Sequence, residues 1–95
     1  MRELLLNLEN SVDLAAGSTI TADVYSNSAI PVLLKFEAGV GGVADIELTA
    51  NHTGTGWEEL TWSFSSTDQY GRIVFFMDGP GTTAGTFYLD NIDQN

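Results

Sequence analysis

Apolar and polar side chains alternate with a period of two in four separate stretches of this chain, which is the pattern of strands with one dry face and one wet face. Ile20, Ala22 and Val24 alternate with Thr19, Thr21, Asp23 and Tyr25. In Pro31 to Glu37, Val32, Leu34 and Phe36 share a face, and the proline suits only a strand's first position. Ala44 to Ala50 sets Ile46 and Leu48 inward between Asp45, Glu47 and Thr49, while Trp57 to Phe64 sets Leu60, Trp62 and Phe64 against Glu59, Thr61 and Ser63.

Arg72 to Asp78 departs from alternation. Ile73, Val74, Phe75, Phe76 and Met77 are apolar without a break, so both sides of that strand require cover. Thr86 to Ile92 reads as the last strand; Leu4, Leu5, Leu6 and Leu8 fit strand or helix, with strand the better fit. Glycine-rich or polar turns fall at Ala16 to Ser18, at Ser26 to Pro31, around Gly39, Gly41 and Gly42, at Asn51 to Gly56, and at Gly79 to Gly81. Strands spaced about a dozen residues apart, with no convincing amphipathic helix or internal repeat, predict an all-β, antiparallel β-sandwich. A chain of 95 residues makes one such domain, 1-95, with a thin core.

Thirteen acidic residues against three basic ones give a formal charge of −10, which repels phosphate backbones and anionic lipid. Nucleic acid and membrane are therefore excluded as expected partners. The absence of cysteine removes disulfides, thiol nucleophiles and cysteine-bound metals. No apolar run approaches a bilayer span, and no signal-peptide pattern is present in the given chain.

Taken in order, Ser18 to Tyr25 with Pro31 to Glu37, then Gly56 to Phe64 (GWEELTWSF), Arg72 to Asp78 (RIVFFMD) and Gly85 to Ile92 (GTFYLDNI) resemble the carboxy-terminal part of a carbohydrate-binding module with the galactose-binding-like jelly-roll fold, the type appended to laminarinases and xylanases. The likeness runs from Val12 to Asp93. It implies a jelly roll lacking amino-terminal strands, of which Met1 to Glu9 is at most a remnant, and an extracellular or periplasmic location. It also implies non-catalytic binding of polysaccharide or oligosaccharide. The laminarinase catalytic pattern Glu-x-Asp-x-x-Glu is not met, since Val43 and Leu48 flank Asp45 where the glutamates belong.

The jelly-roll order implies one sheet of Val32 to Glu37, Ala44 to Ala50 and Arg72 to Asp78, and another of Thr19 to Tyr25, Trp57 to Phe64 and Thr86 to Ile92. The outer face of the first then carries Leu33, Val74 and Phe76 as an apolar platform, with Lys35, Glu37, Glu47, Arg72 and Asp78 as polar groups. A saccharide needs that combination, because its rings offer flat C–H patches and many hydroxyls. Burial against a second subunit, as a homodimer without small ligand, or against a missing segment accounts for the same strip at least as well, and a homodimer is expected on either reading.

Tyr25, Trp57 and Tyr70 are further aromatic contacts that could stack on a sugar, though each also suits a structural role. Asp90 stands where members of the resembled family often have an aspartate that helps hold a structural calcium, yet the early-chain oxygen ligands are missing, and a strand-end or bulge aspartate is the plainer reading. No other cofactor is expected. His52, the only histidine, lacks neighbouring metal ligands and reads as a solvated turn residue, inside an Asn51-His52-Thr53 glycosylation pattern.

Overall fold

Alternation becomes strand wherever it occurs. The computed structural model describes the backbone of residues 2–77 and 87–95 and the side chains of 11–77 and 87–95. Its strands are β1 (Arg2–Asp13), β2 (Thr19–Ser26), β3 (Ile30–Gly39), β4 (Ile46–His52), β5 (Gly56–Ser63), β6 (Gln69–Met77) and β7 (Tyr88–Gln94), with one short 3-10 turn at Val40–Gly42. They form two antiparallel sheets, ordered β1-β6-β3-β4 and β5-β2-β7. The division of the six strands from β2 onward is the one the resemblance implied, and the leucine-rich start is indeed a strand.

The dry faces meet between the sheets. Ile20, Ala22 and Val24 of β2 and Leu60 and Trp62 of β5 are buried opposite Val32, Leu34 and Phe36 of β3 and Ile73, Phe75 and Met77 of β6. Rings lock the middle: Phe36 lies edge-on to Phe64 at 5.0 Å and Trp62 edge-on to Phe75 at 5.7 Å. Two side chains also bond across the gap. The Trp62 indole donates to the Val32 carbonyl at 3.1 Å, and His52 Nε2 bonds the Val24 carbonyl at 2.8 Å.

Three expectations about strand limits are corrected. β4 starts at Ile46 instead of Ala44, since the Ala44 carbonyl accepts the Tyr70 hydroxyl at 2.9 Å and so serves a side chain ahead of the ladder. On that edge strand Leu48 keeps the inward parity, opposite Leu34, but is 38% exposed and so is not covered as the core residues are. Pro31 is second in β3, not first; pairing with β6 begins only at Val32, so its missing N–H is tolerated there. β7 runs later than expected, and Thr86 lies outside the described residues.

Candidate functional site

The sandwich offers two outer faces. On the four-stranded sheet, register brings the expected residues together: Leu33 sits between Phe76 and Thr49, Lys35 between Val74 and Glu47, and Glu37 beside Arg72. Asp78 lies outside the described residues. The charged groups are bonded to one another, with Lys35 Nζ 3.2 Å from Glu37 and 3.8 Å from Asp45, and Arg72 donating to Glu37 at 3.2 Å. The Lys35 ammonium is raised above its ordinary value, first by its hydrogen bond to Glu37 and then by attraction to Glu37, Asp45 and Glu47, against a desolvation loss. Desolvation works to raise the Glu37 carboxyl, but the hydrogen bonds and charges of Lys35 and Arg72 together hold it below the carboxylate range. The apolar centre is already sheltered, since Val74 is only 1% exposed and Leu33 and Phe76 are half-buried.

The three-stranded sheet is different. Tyr25 of β2 pairs with Trp57 of β5 on one side and Tyr88 of β7 on the other, so three aromatic residues form one row across the sheet. Tyr25 meets Trp57 at 5.6 Å and Tyr88 at 5.5 Å, with both partners steeply inclined to it. Trp57 and Tyr88 stand two strand spacings apart, about 9.5 Å along the backbone, yet their rings stack at 6.3 Å and 24°. They therefore lean toward each other over β2. Trp57 is 55% exposed and Tyr88 54%, a large apolar area to leave in water.

The next row on the same face is acidic. Asp23 pairs with Glu59 on one side and Asp90 on the other. Asp23, Trp57, Glu58, Glu59, Asp90 and Asn91 line an open recess of about 320 Å³ between the two rows. Asn91 ties its floor: its side-chain amide donates to Asp23 at 2.7 Å and its backbone N–H to Asp90 at 2.8 Å. Its positive φ of 49° marks the irregularity where β7 shifts register against β2.

Asp90 is thus a bulge aspartate. Among the described residues no group of three or more His, Asp or Glu is disposed to hold a metal ion. Tyr70 is no surface contact: it is buried, its ring packed against Phe36 at 5.5 Å. His52 is likewise not solvated but 2% exposed, with Nδ1 accepting the Gly54 N–H at 2.9 Å. Beside it Glu58 is held below the carboxylate range by hydrogen bonds from the Thr53 hydroxyl and backbone, which outweigh its desolvation.

Tyr25 and Trp57, expected as separate contacts, form one platform, and sequence reading missed its third member. Tyr88 has opposite parity to Phe87 and Leu89, which is the signal that it faces outward; the alignment with Tyr25 needs the sheet order. No protein-family model matches this chain, and no curated protein sequence matches it.

Proposed function

We propose that this chain is a non-catalytic carbohydrate-binding domain, a jelly roll in topology, that takes a polysaccharide chain on the Trp57–Tyr25–Tyr88 row. The observation that carries the reading is the exposure of two stacked aromatic rings on a rigid sheet, flanked by fixed carboxylates. Pyranose C–H faces pack on such rings, and the carboxylates accept hydroxyl hydrogen bonds beside them. The sequence resemblance supports the same activity and, with it, a location outside the cytoplasm. The four-stranded face is the lesser candidate, because its cations and acids satisfy each other and Val74 is covered.

Affinity electrophoresis against laminarin, xylan, mannan and cellulose tests the reading. At least one polysaccharide should retard the protein, and Trp57→Ala and Tyr88→Ala should each weaken retention about tenfold, the worth of a ring contact near 1.4 kcal/mol. Lys35→Ala should not. Retention by none of the four nor by an amine-bearing glucosamine polymer, or retention lost only in Lys35→Ala, overturns it.

Assembly is the second reading: a homodimer through the four-stranded face, without small ligand. It is favoured by the cross-strand neighbours Leu33 and Phe76, which are only half-buried. Light scattering behind size exclusion decides it, since a monomer at micromolar concentration excludes an obligate dimer.

A further inference from the structure

Resting on the carbohydrate-binding reading, we infer that the saccharide selected by the aromatic row carries positive charge, as in an amine-bearing polymer of glucosamine units. The recess beside Trp57 carries the carboxylates of Asp23, Glu59 and Asp90, with the Asn91 side-chain amide donating to Asp23. No lysine or arginine lies on β2, β5 or β7; of the three in the chain, Arg2 is on β1, Lys35 on β3 and Arg72 on β6, all in the other sheet. The three-stranded sheet therefore carries carboxylates and no basic side chain, beside exposed aromatic rings.

The acidic row by itself would specify nothing. Its placement next to the rings does, because the combination matches both features of an amino sugar. Like charges directly opposite across antiparallel strands are unfavourable, and here one carboxylate on β2 faces one on each neighbour. The Asn91 groups that donate to Asp23 and Asp90 are neutral, as a donating sugar hydroxyl would be, so the net negative charge of the row remains. An ammonium relieves it, and the same cation is attracted by the electron-rich faces of Trp57 and Tyr88. Reach agrees: a two-residue step along a strand is roughly 7 Å, which a sugar ring stacked on the aromatic row spans with its equatorial substituents. Uronic or sulfated sugars are repelled by the same groups.

Titration calorimetry at low salt and about pH 6, where side-chain carboxylates are ionised and the sugar amine is protonated, tests the inference with three tetramers: glucosamine, N-acetylglucosamine and β-1,3-glucose. The glucosamine tetramer should bind at least tenfold tighter than its N-acetylated twin, which has the same rings without the charge. The Glu59→Gln, Asp90→Asn double variant should erase that preference while keeping residual binding, and Trp57→Ala should weaken all three. Equal or tighter binding of the uncharged tetramers overturns the inference and leaves the carbohydrate reading standing. Spermine serves as the ring-free cation. If it binds as tightly as the glucosamine tetramer and Trp57→Ala leaves that tetramer's binding unchanged, charge alone is being recognised and the inference also falls. Binding of no saccharide removes both.

Discussion

His52 shows how one side chain can close several backbone accounts at once. Because Nδ1 accepts the Gly54 N–H, the ring proton sits on Nε2 and is donated to the Val24 carbonyl, which joins β4 to the opposite sheet. Gly54 can supply that N–H only as glycine: its φ is +85°, and a Cβ would strike the backbone of Ser28 and Ala29. His52→Leu should therefore cost about 2–4 kcal/mol, one penalty for each polar group stripped of its partner, measured as a lower urea midpoint with an unchanged slope. Ala38 presents the reverse case, a side chain held at φ 56° where only glycine is at ease. Ala38→Gly should raise stability by about 0.5 kcal/mol, the relief of left-handed strain exceeding the entropy that glycine adds to the unfolded chain. An unchanged or lower melting temperature would show that the loop relaxes the strain already.

The β4–β5 connection ties one sheet to the other, and Glu58 of β5, bonded to Thr53 in that connection, makes the link depend on pH. Thr53 holds the Glu58 carboxyl below its ordinary value, so the folded state binds that proton more weakly than the unfolded chain does. The contribution is complete above the ordinary carboxylate range, near about 4.3, and fades as pH falls through the lower folded value. The urea midpoint of the protein should accordingly exceed that of Glu58→Gln at neutral pH, and the gap should close as pH is lowered below the ordinary carboxylate range. A gap constant with pH would mean the glutamate acts through packing alone. Lys35 moves the other way, its contribution surviving to higher pH than an ordinary lysine's because its ammonium is raised. Parity made most elements readable: Ile20, Ala22, Val24, Leu60 and Trp62 are buried as their alternation requires. The His52 burial was not readable, since a polar residue at a strand end gains its partners from a different sheet. Nor was the aromatic row, because alternation says which way Tyr25, Trp57 and Tyr88 face but not which residues stand abreast; that is set by register between distant strands. Leu48 misled for a related reason: it keeps the inward parity on an edge strand, where the opposing sheet no longer covers it.

Across the whole molecule, charge is sorted between the two sheets. All three cations lie on strands of the four-stranded sheet, where Lys35 and Arg72 meet Glu37, while the three-stranded side keeps Asp23, Glu59 and Asp90 abreast with only the neutral donors of Asn91 between them and no cation. With a net charge of −10 the folded state carries self-repulsion that salt screens over about 10 Å at 0.1 M. Raising sodium chloride from about 0.02 to about 0.5 M, where the screening length becomes short, should therefore raise the melting temperature. Glu59→Lys tests where that repulsion resides. It puts a cation directly opposite Asp23 on the non-core face, turning a like-charge pair into an opposite-charge pair worth up to about 1 kcal/mol. The variant should melt higher than the parent at low salt, and its response to added salt should shrink. The same substitution places a positive group at the wall of the recess, so it should weaken capture of any amine-bearing saccharide in the same experiment that shows the protein more stable. A gain in stability without that loss of binding would separate the acidic row from ligand recognition. A variant no more stable than the parent would place the dominant repulsion elsewhere in the chain, and the acidic row would then impose no cost that a ligand could relieve.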